Sequence, residues 1–455
     1  VSNLTQIAYS GVRASEIALS VTGQNTSNVN TPGFSRLSTV MSSLAGEGAR
    51  SPGGGVQVTS IRRMSDDFLS QQLRRATTAQ NYYSNSQQYL GSLEDLMSSD
   101  GASISVGLDN FFAAISAASA TPDSIALRQQ IIAETGNLAQ RFNTLSGNIA
   151  TQLTSLQEQR GTMVGEINGL TSNVALLNKK ITAAQSAGAD ATALQDQRDN
   201  LITQLSQYSS IRTTTAADGS LSVSLANGQP LVAGASAAQL SVSLTSTGEQ
   251  DVSLSFAGTQ FAIDQQGLGG SMGALYDTEY KTLRPNLGAI SGMASQIAGL
   301  VNSTLAGGYD LDGNAGQPLL QYNSGSTSKL LSLTGLQPRQ LALSDSQGES
   351  GNNGNLLALL NLKNQNITVN GSSVSVNDAY AGLIGQVASA SRQNQADLTT
   401  ATSVTQQAQK QRDSVSAVNL DEEAVNLMTY QQAYQANMKV ISTAKSLFDS
   451  MLAAF

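Results

Sequence analysis

Residues 420–455 read LDEEAVNLMTYQQAYQANMKVISTAKSLFDSMLAAF. Leu420, Ala424, Leu427, Tyr434, Met438, Ile441, Phe448, Leu452 and Phe455 recur at helical spacing, with Gln431 and Lys445 in the vacant places. That spacing draws an apolar stripe along one face of a helix of about ten turns. Asp421, Glu422 and Glu423 stand in the first turn, where the positive end of the helix dipole favours acids, and no Gly or Pro interrupts the run. A helix of this length extends roughly 54 Å, too far to be covered by a compact core. The stripe must therefore be buried by the N-terminus of the chain or by other copies of it.

The N-terminus offers a matching surface. Leu4, Ile7, Gly11, Ala14, Ala18 and Val21 also step by three and four, and small residues dominate the face they form. The two ends thus predict complementary amphipathic helices, one small-faced and one large-faced. A plainer alternative stays open: two terminal helices packed on one globular domain. Directly after the first helix comes a polar run, Asn25 to Arg36, in which Pro32 fixes φ and Gly33 permits positive φ.

Within that run, Asn28, Asn30, Thr31, Gly33 and Phe34 resemble the Asn-x-Asn-Thr-x-Gly-aromatic signature of the flagellar rod and hook axial proteins. The stretch from Val418 to Asn437 is similar to the other end of the same family. Three interior stretches, residues 269–275, 308–316 and 354–362, are similar to the branch that joins hook to filament. The resemblance covers the whole length except about residues 206–266.

Composition points the same way. Only 12% of the 455 residues are charged, against about 25% in typical proteins. A subunit whose sides pair with other subunits needs less charge than a dispersed monomer; a secreted or repetitive surface protein would look similar. The net charge of −8 disfavours nucleic acid and anionic membranes as partners. The absence of Cys excludes disulfides and thiolate chemistry, and the absence of His excludes imidazole catalysis. Acidic pairs such as Asp66/Asp67 and Glu422/Glu423 stand at helix starts, where capping explains them. We expect no enzyme, no cofactor and no metal. The first residues lack the n- and h-regions of a Sec signal, and no apolar run approaches the roughly 20 residues that span a bilayer.

Between the termini the chain predicts two kinds of structure. Ser35 to Ile61 is Ser/Gly-rich around Ser51 to Gly55, with short extended pieces at Val56, Val58 and Ile61. Helix signals return at Ser65, carrying Arg62, Arg63, Arg74 and Arg75 near Asp66, Asp67, Glu94 and Asp95; charge pairing is a better reading of these arginines than a polyanion patch. A short helix follows near Val106–Ala120, and Thr121 with Pro122 predicts the cap and first residue of a long one. Phe142, Ile149, Leu156, Met163, Leu170 and Leu177 recur every seven residues, a coiled-coil seam on which Gly161, Gly165 and Gly169 are expected to allow close approach or bending. From Ser209 the pattern alternates with period two and turns at Asp218-Gly219 and Asn227-Gly228, predicting an inserted β domain. Helix resumes after Gly273, and Ile367 to Val376 predicts a hairpin about Asn370-Gly371. Asp310, Asp312 and Asn314 suggest a calcium loop superficially, but Ala315 and Gln321 stand where an EF-hand needs Gly and Glu, so a polar turn is expected. The helix from Asp378 to Val418 is expected to pack antiparallel to that of 122–187.

The expected fold is mainly α with an inserted, small, outer antiparallel β domain (206–266). The terminal coiled-coil helices (1–40 with 415–455) form an inner layer and a long-helix bundle (41–205 with 267–414) lies between. The candidate assembly surface comprises Leu4, Ile7, Gly11, Ala14, Ala18, Leu420, Leu427, Tyr434, Met438, Ile441, Phe448 and Leu452. The resemblance implies a structural subunit that connects hook and filament, its copies arranged in a ring. It further implies contacts with hook protein and a second junction protein, an export chaperone on the C-terminal helix, and type III export to the outside of the cell. A filament-side axial protein, or a secreted coiled-coil adhesin, is the alternative.

Overall fold

The computed structural model describes residues 2–45, 53–246 and 248–454. Phe455 and most of the loop centred on Ser51 fall outside them. Helix α1 (Ser2–Ser27) leads into an antiparallel hairpin, β1 (Leu37–Leu44) and β2 (Gly55–Arg63), with a bulge at Val40/Met41. Helices α2 (Asp67–Ser98), α3 (Ile104–Ala118), α4 (Ile125–Ser186) and α5 (Thr192–Tyr208) follow. The expected Thr121 cap is not formed: residues 121–124 make a turn in which the Ser124 amide donates to Thr121, and α4 starts three residues later than Pro122 predicts.

The insert is two antiparallel sheets. Strands β3 (Ile211–Thr215), β4 (Leu221–Leu225), β5 (Pro230–Ala233) and β6 (Ser236–Ala237) lie in that order in one. Strands β7 (Gln239–Leu244), β8 (Gln250–Phe256) and β9 (Thr259–Ala262) form the other. Alternation explains them: Leu221, Val223 and Leu225 turn inward while Ser222 and Ser224 are half-buried. Helix α6 (Gly270–Asp277) then passes through a π-helical turn into α7 (Arg284–Ala306). Short strands β10 (Leu320–Tyr322) and β11 (Leu331–Leu333), helix α8 (Gly354–Asn361), and the hairpin β12 (Asn366–Val369) and β13 (Ser372–Ser375) precede α9 (Val376–Ser416) and α10 (Leu420–Leu452). Asn370 and Gly371 both take positive φ, as an Asn-Gly hairpin turn requires.

The chain divides into two compact units. The first comprises the described residues up to Gln80, Val164–Gly270 and those from Ala401 on; the second comprises Asn81–Met163 and Ser271–Thr400. In the second, α4 presents Phe142, Ile149 and Leu156, all fully buried, at the expected heptad spacing. Tyr89 of α2 donates to Gln159 of α4 (2.7 Å) and Gln152 donates to Ser92 (3.0 Å), so these helices are antiparallel. Asn394 of α9 donates to Tyr83 (2.9 Å) and Tyr380 donates to Met97 (2.8 Å), so α2 is the antiparallel partner of α9 as well. Helix α9 therefore runs in the same direction as α4, not against it as expected. Helix α2 bonds both neighbours: the Tyr83 carbonyl and the Gln87 side chain meet α9, and the Tyr89 hydroxyl meets α4. Glu279, in the π-helical turn, is fully buried between Arg160 (2.8 Å) and Arg284 (2.7 Å). The three glycines of α4 correct another expectation. Gly161, Gly165 and Gly169 are exposed, with no atom near the place a Cβ would occupy, and lie off the seam.

One device recurs throughout. Among the described residues, six helix-borne amides each grip both backbone groups of one strand residue: Asn25 with Leu37, Asn143 with Leu331, Asn168 with Leu240, Asn178 with Leu221, Gln296 with Thr368 and Asn302 with Leu320. A side-chain amide offers one carbonyl and one N–H2, the same pair a peptide unit offers in a ladder. All twelve bonds measure between 2.7 and 3.1 Å.

Candidate assembly interface

Helix α10 begins at Asn419, whose side chain accepts from the Asp421 amide (3.0 Å), and continues unbroken for 33 residues. It runs antiparallel to α1. Near one end Asn25 donates to Glu423 (3.1 Å), and further along Gly11 faces the side chain of Asn437. A Cβ on Gly11 would stand 2.6 Å from the Asn437 amide, so the glycine permits the approach. Ala8, Ala14 and Ala18 are buried on the same side of α1. Ser10 also reaches the hairpin, its hydroxyl accepting from the Val56 amide (3.0 Å).

The signature turn is pinned from several directions. Asn28 accepts from Thr31 through both its carbonyl (2.9 Å) and its side chain (3.1 Å), and Phe34 donates back to Thr31 (3.2 Å). Asn30 is exposed. Gly33 has φ +82° and sits over Asn200 of α5. The Ser35 amide donates to Asp196 (3.1 Å), which also accepts from Arg63 (3.1 Å), while Arg63 reaches Asp199 at 2.5 Å. Burial raises the Asp196 carboxyl above its ordinary range, and the Ser35 and Arg63 donors offset this only in part. Arg36 pairs with Glu422, and the Arg36 amide donates to Ser416 (2.8 Å). Turn, hairpin, α5 and the α9–α10 junction thereby form one hydrogen-bonded knot.

Of the sequence-predicted surface residues, Gly11, Ala14 and Ala18 lie in the α1–α10 contact, and Ile7 is half-buried. The large-residue stripe does not fill that contact. Leu420, Leu427, Met438, Phe448 and Leu452 remain between 44% and 61% exposed, and Leu4 is exposed beside them. Tyr434 and Ile441 are half-buried at the edge of the contact. The side of α10 that α1 covers carries Glu423, Asn437 and Ala444, about a sixth of a turn away from the stripe. Ile441 and Phe448 line an open groove of about 660 Å³ with Thr5, Gln6, Tyr9 and Ala444. Val425, Met428, Leu447 and Met451 are exposed elsewhere on α10. Sequence reasoning missed Asn25, Glu423 and Asn437, which lock the pair. The only signal was an Asn in the polar run and an acid in the first turn, each with a local explanation already.

The helical-domain profile of the flagellar hook-associated protein FlgK matches residues 90–320, just over half of the chain. The chain belongs to that hook-associated family. The profile for the C-terminal part of the flagellar basal body rod FlgEFG proteins matches residues 409–454, the segment that contains α10. Flagellar hook-associated protein 1 of Salmonella typhimurium is 27% identical over 99% of this chain and 100% of its own length. The proteins of that name from Escherichia coli and Bacillus subtilis are 25% and 26% identical over 99% and 98% of the chain. The solved flagellar hook junction protein FlgK from Burkholderia pseudomallei superposes with a TM-score of 0.69 at 17% identity, covering 76% of this chain and 100% of that one, and shares its fold. Family membership and the mainly helical fold with its inserted sheets both match the sequence reading.

Proposed function

We propose that this chain is a structural, non-enzymatic subunit of the bacterial flagellum that joins hook to filament by self-assembly through its terminal helices. The observation that carries the reading is the exposed apolar flank of α10, on a helix whose adjacent side is already occupied by α1. Five large apolar side chains are each about half exposed, so completing their burial gains roughly 0.7–1.5 kcal/mol each, a gain repeated in every copy of a ring. In this reading residues 1–40 and 415–455 form the inner layer, 41–205 and 267–414 the helical layer, and 206–266 the outer β layer. Hook protein lies on one side of the ring and a second junction protein on the other. Before export, through the flagellar type III route to the outside of the cell, a chaperone covers the same flank.

A charge on the stripe, clear of the α1 contact, tests this. Ile441 lines the groove beside α1, so its substitution would disturb the helix pair as well. Leu427 is 46% exposed and touches that groove nowhere. Leu427→Asp should leave the melting of the purified protein unchanged. Cells carrying it in place of the natural chain should show hooks without filaments and shed filament protein into the medium. Gln432→Asp adds the same charge on the far side of the helix. Secreted Leu427→Asp protein that supports as many filaments as Gln432→Asp would overturn the reading.

A further inference from the structure

The arginines near the start of α2 have separate fates. Arg63 is answered by Asp196 and Asp199, and Arg198 lies 3.8 Å from Asp199. Arg74 is not answered. It is only 7% exposed, its Nε donates to the Ser70 carbonyl (3.1 Å), and its Nη1 is buried with no partner among the described residues. Asp199 and Asp67 act on it electrostatically, but burial outweighs them and lowers its pKa. A buried cation with an unused donor is costly unless an anion completes it.

Arg74 borders a cavity of about 610 Å³ against β3, the outermost strand of its sheet. Arg75 and Arg212 line the same cavity and form no ion pair among the described residues; Ser210, Thr213 and Thr214 line it too, and no acidic residue does. Three arginines and three hydroxyl-bearing residues line one concavity, in a chain of net charge −8, a composition that suits an oxyanion. The planar guanidinium fork favours two-point contact with a carboxylate.

We propose that the Arg74–Arg75–Arg212 cavity is a carboxylate-binding site. The carboxylate comes either from an acidic side chain of a neighbouring copy in the assembled structure or from a free organic acid. Only the first source rests on the assembly reading, and the site itself is testable on the dilute chain.

Titration calorimetry of the full chain with citrate, at ionic strength held constant with sodium chloride, measures the site directly. Saturable binding is expected, at least tenfold weaker in Arg75→Gln/Arg212→Gln and unaltered in Lys179→Gln/Lys180→Gln, an exposed pair on α4. Arg75 and Arg212 are themselves exposed, so their replacement leaves the core intact, and unchanged circular dichroism melting verifies this. Absence of saturable heat, or equal affinity in the two double variants, would overturn the proposal. Cells carrying Arg75→Gln/Arg212→Gln then identify the source. Lost filament attachment with normal export assigns the carboxylate to a neighbouring copy, and normal attachment assigns it to a free acid.

Discussion

At the scale of single residues, Asn25 ties together three segments of the terminal structure, α1, β1 and α10. Its amide nitrogen donates to Leu37 (2.9 Å) and Glu423 (3.1 Å), and its oxygen accepts from the Leu37 amide (2.9 Å). Leu37 is itself buried, so removing the amide strands two backbone groups at about 1–3 kcal/mol each. Asn25→Ala should accelerate hydrogen exchange at the Leu37 amide by at least about tenfold, since each 1.4 kcal/mol is a factor of ten. Asn25→Asp should be no milder despite its matching shape, because it loses the donor and sets a second carboxylate against Glu423. Equal exchange in the natural chain and both variants would show that the hairpin is held by other contacts. The site was only half legible for the same reason. Leu427 and Met438 announce themselves by apolar periodicity, whereas Glu423 makes its contact through a hydrogen bond and Asn437 by packing a polar side chain against Gly11, neither of which leaves a hydrophobic pattern.

At the scale of elements, α4 shows what a heptad can and cannot convey. Phe142, Ile149 and Leu156 are buried where the seven-residue repeat puts them, as are Ile167, Val174 and Ile181 further along. The repeat carries no direction for the partner helix, and so α9 could not be oriented from it. The polar groups of α2 decide that instead. Nor does a repeat reveal the face of an intervening glycine unless positions are counted against the seam. Because Gly165 is exposed and meets nothing, Gly165→Ala should stabilise the helix by roughly 0.5–1 kcal/mol through reduced backbone freedom. Leu156→Ala, at a fully buried position, should cost about 2–5 kcal/mol. Scanning calorimetry of the two variants should therefore shift in opposite directions. A fall in melting temperature with Gly165→Ala would mean that the helix needs flexibility there.

At the scale of the whole molecule, the insert was legible as strands from its Leu-Ser-Val-Ser-Leu alternation, but its attachment was not. Asn168 and Asn178 of α4 bind the backbones of Leu240 and Leu221, and Arg198 of α5 donates to the Gly219 carbonyl (2.8 Å). Replacing residues 211–262 by a short Gly/Ser linker should keep the helices folded, since the ladders lost are internal to the two sheets. The excision strips Asn168 of its strand partner and leaves Asn178 with Arg198 (3.2 Å) and Arg198 also with Asp199 (3.8 Å), so the first unit should melt several degrees lower. An unchanged melting profile would show that those bonds contribute nothing. The same amide grips have a consequence for the medium in which the protein works. They join helix to strand in six places without using a titratable group, in a chain where 12% of residues are charged. Mobile ions act on such bonds very little even where the screening length falls to about 3 Å, near 1 M salt. Those six joints should therefore hold alike in dilute solution and at high salt, and the exposed Arg36–Glu422 pair is the contact that salt should loosen.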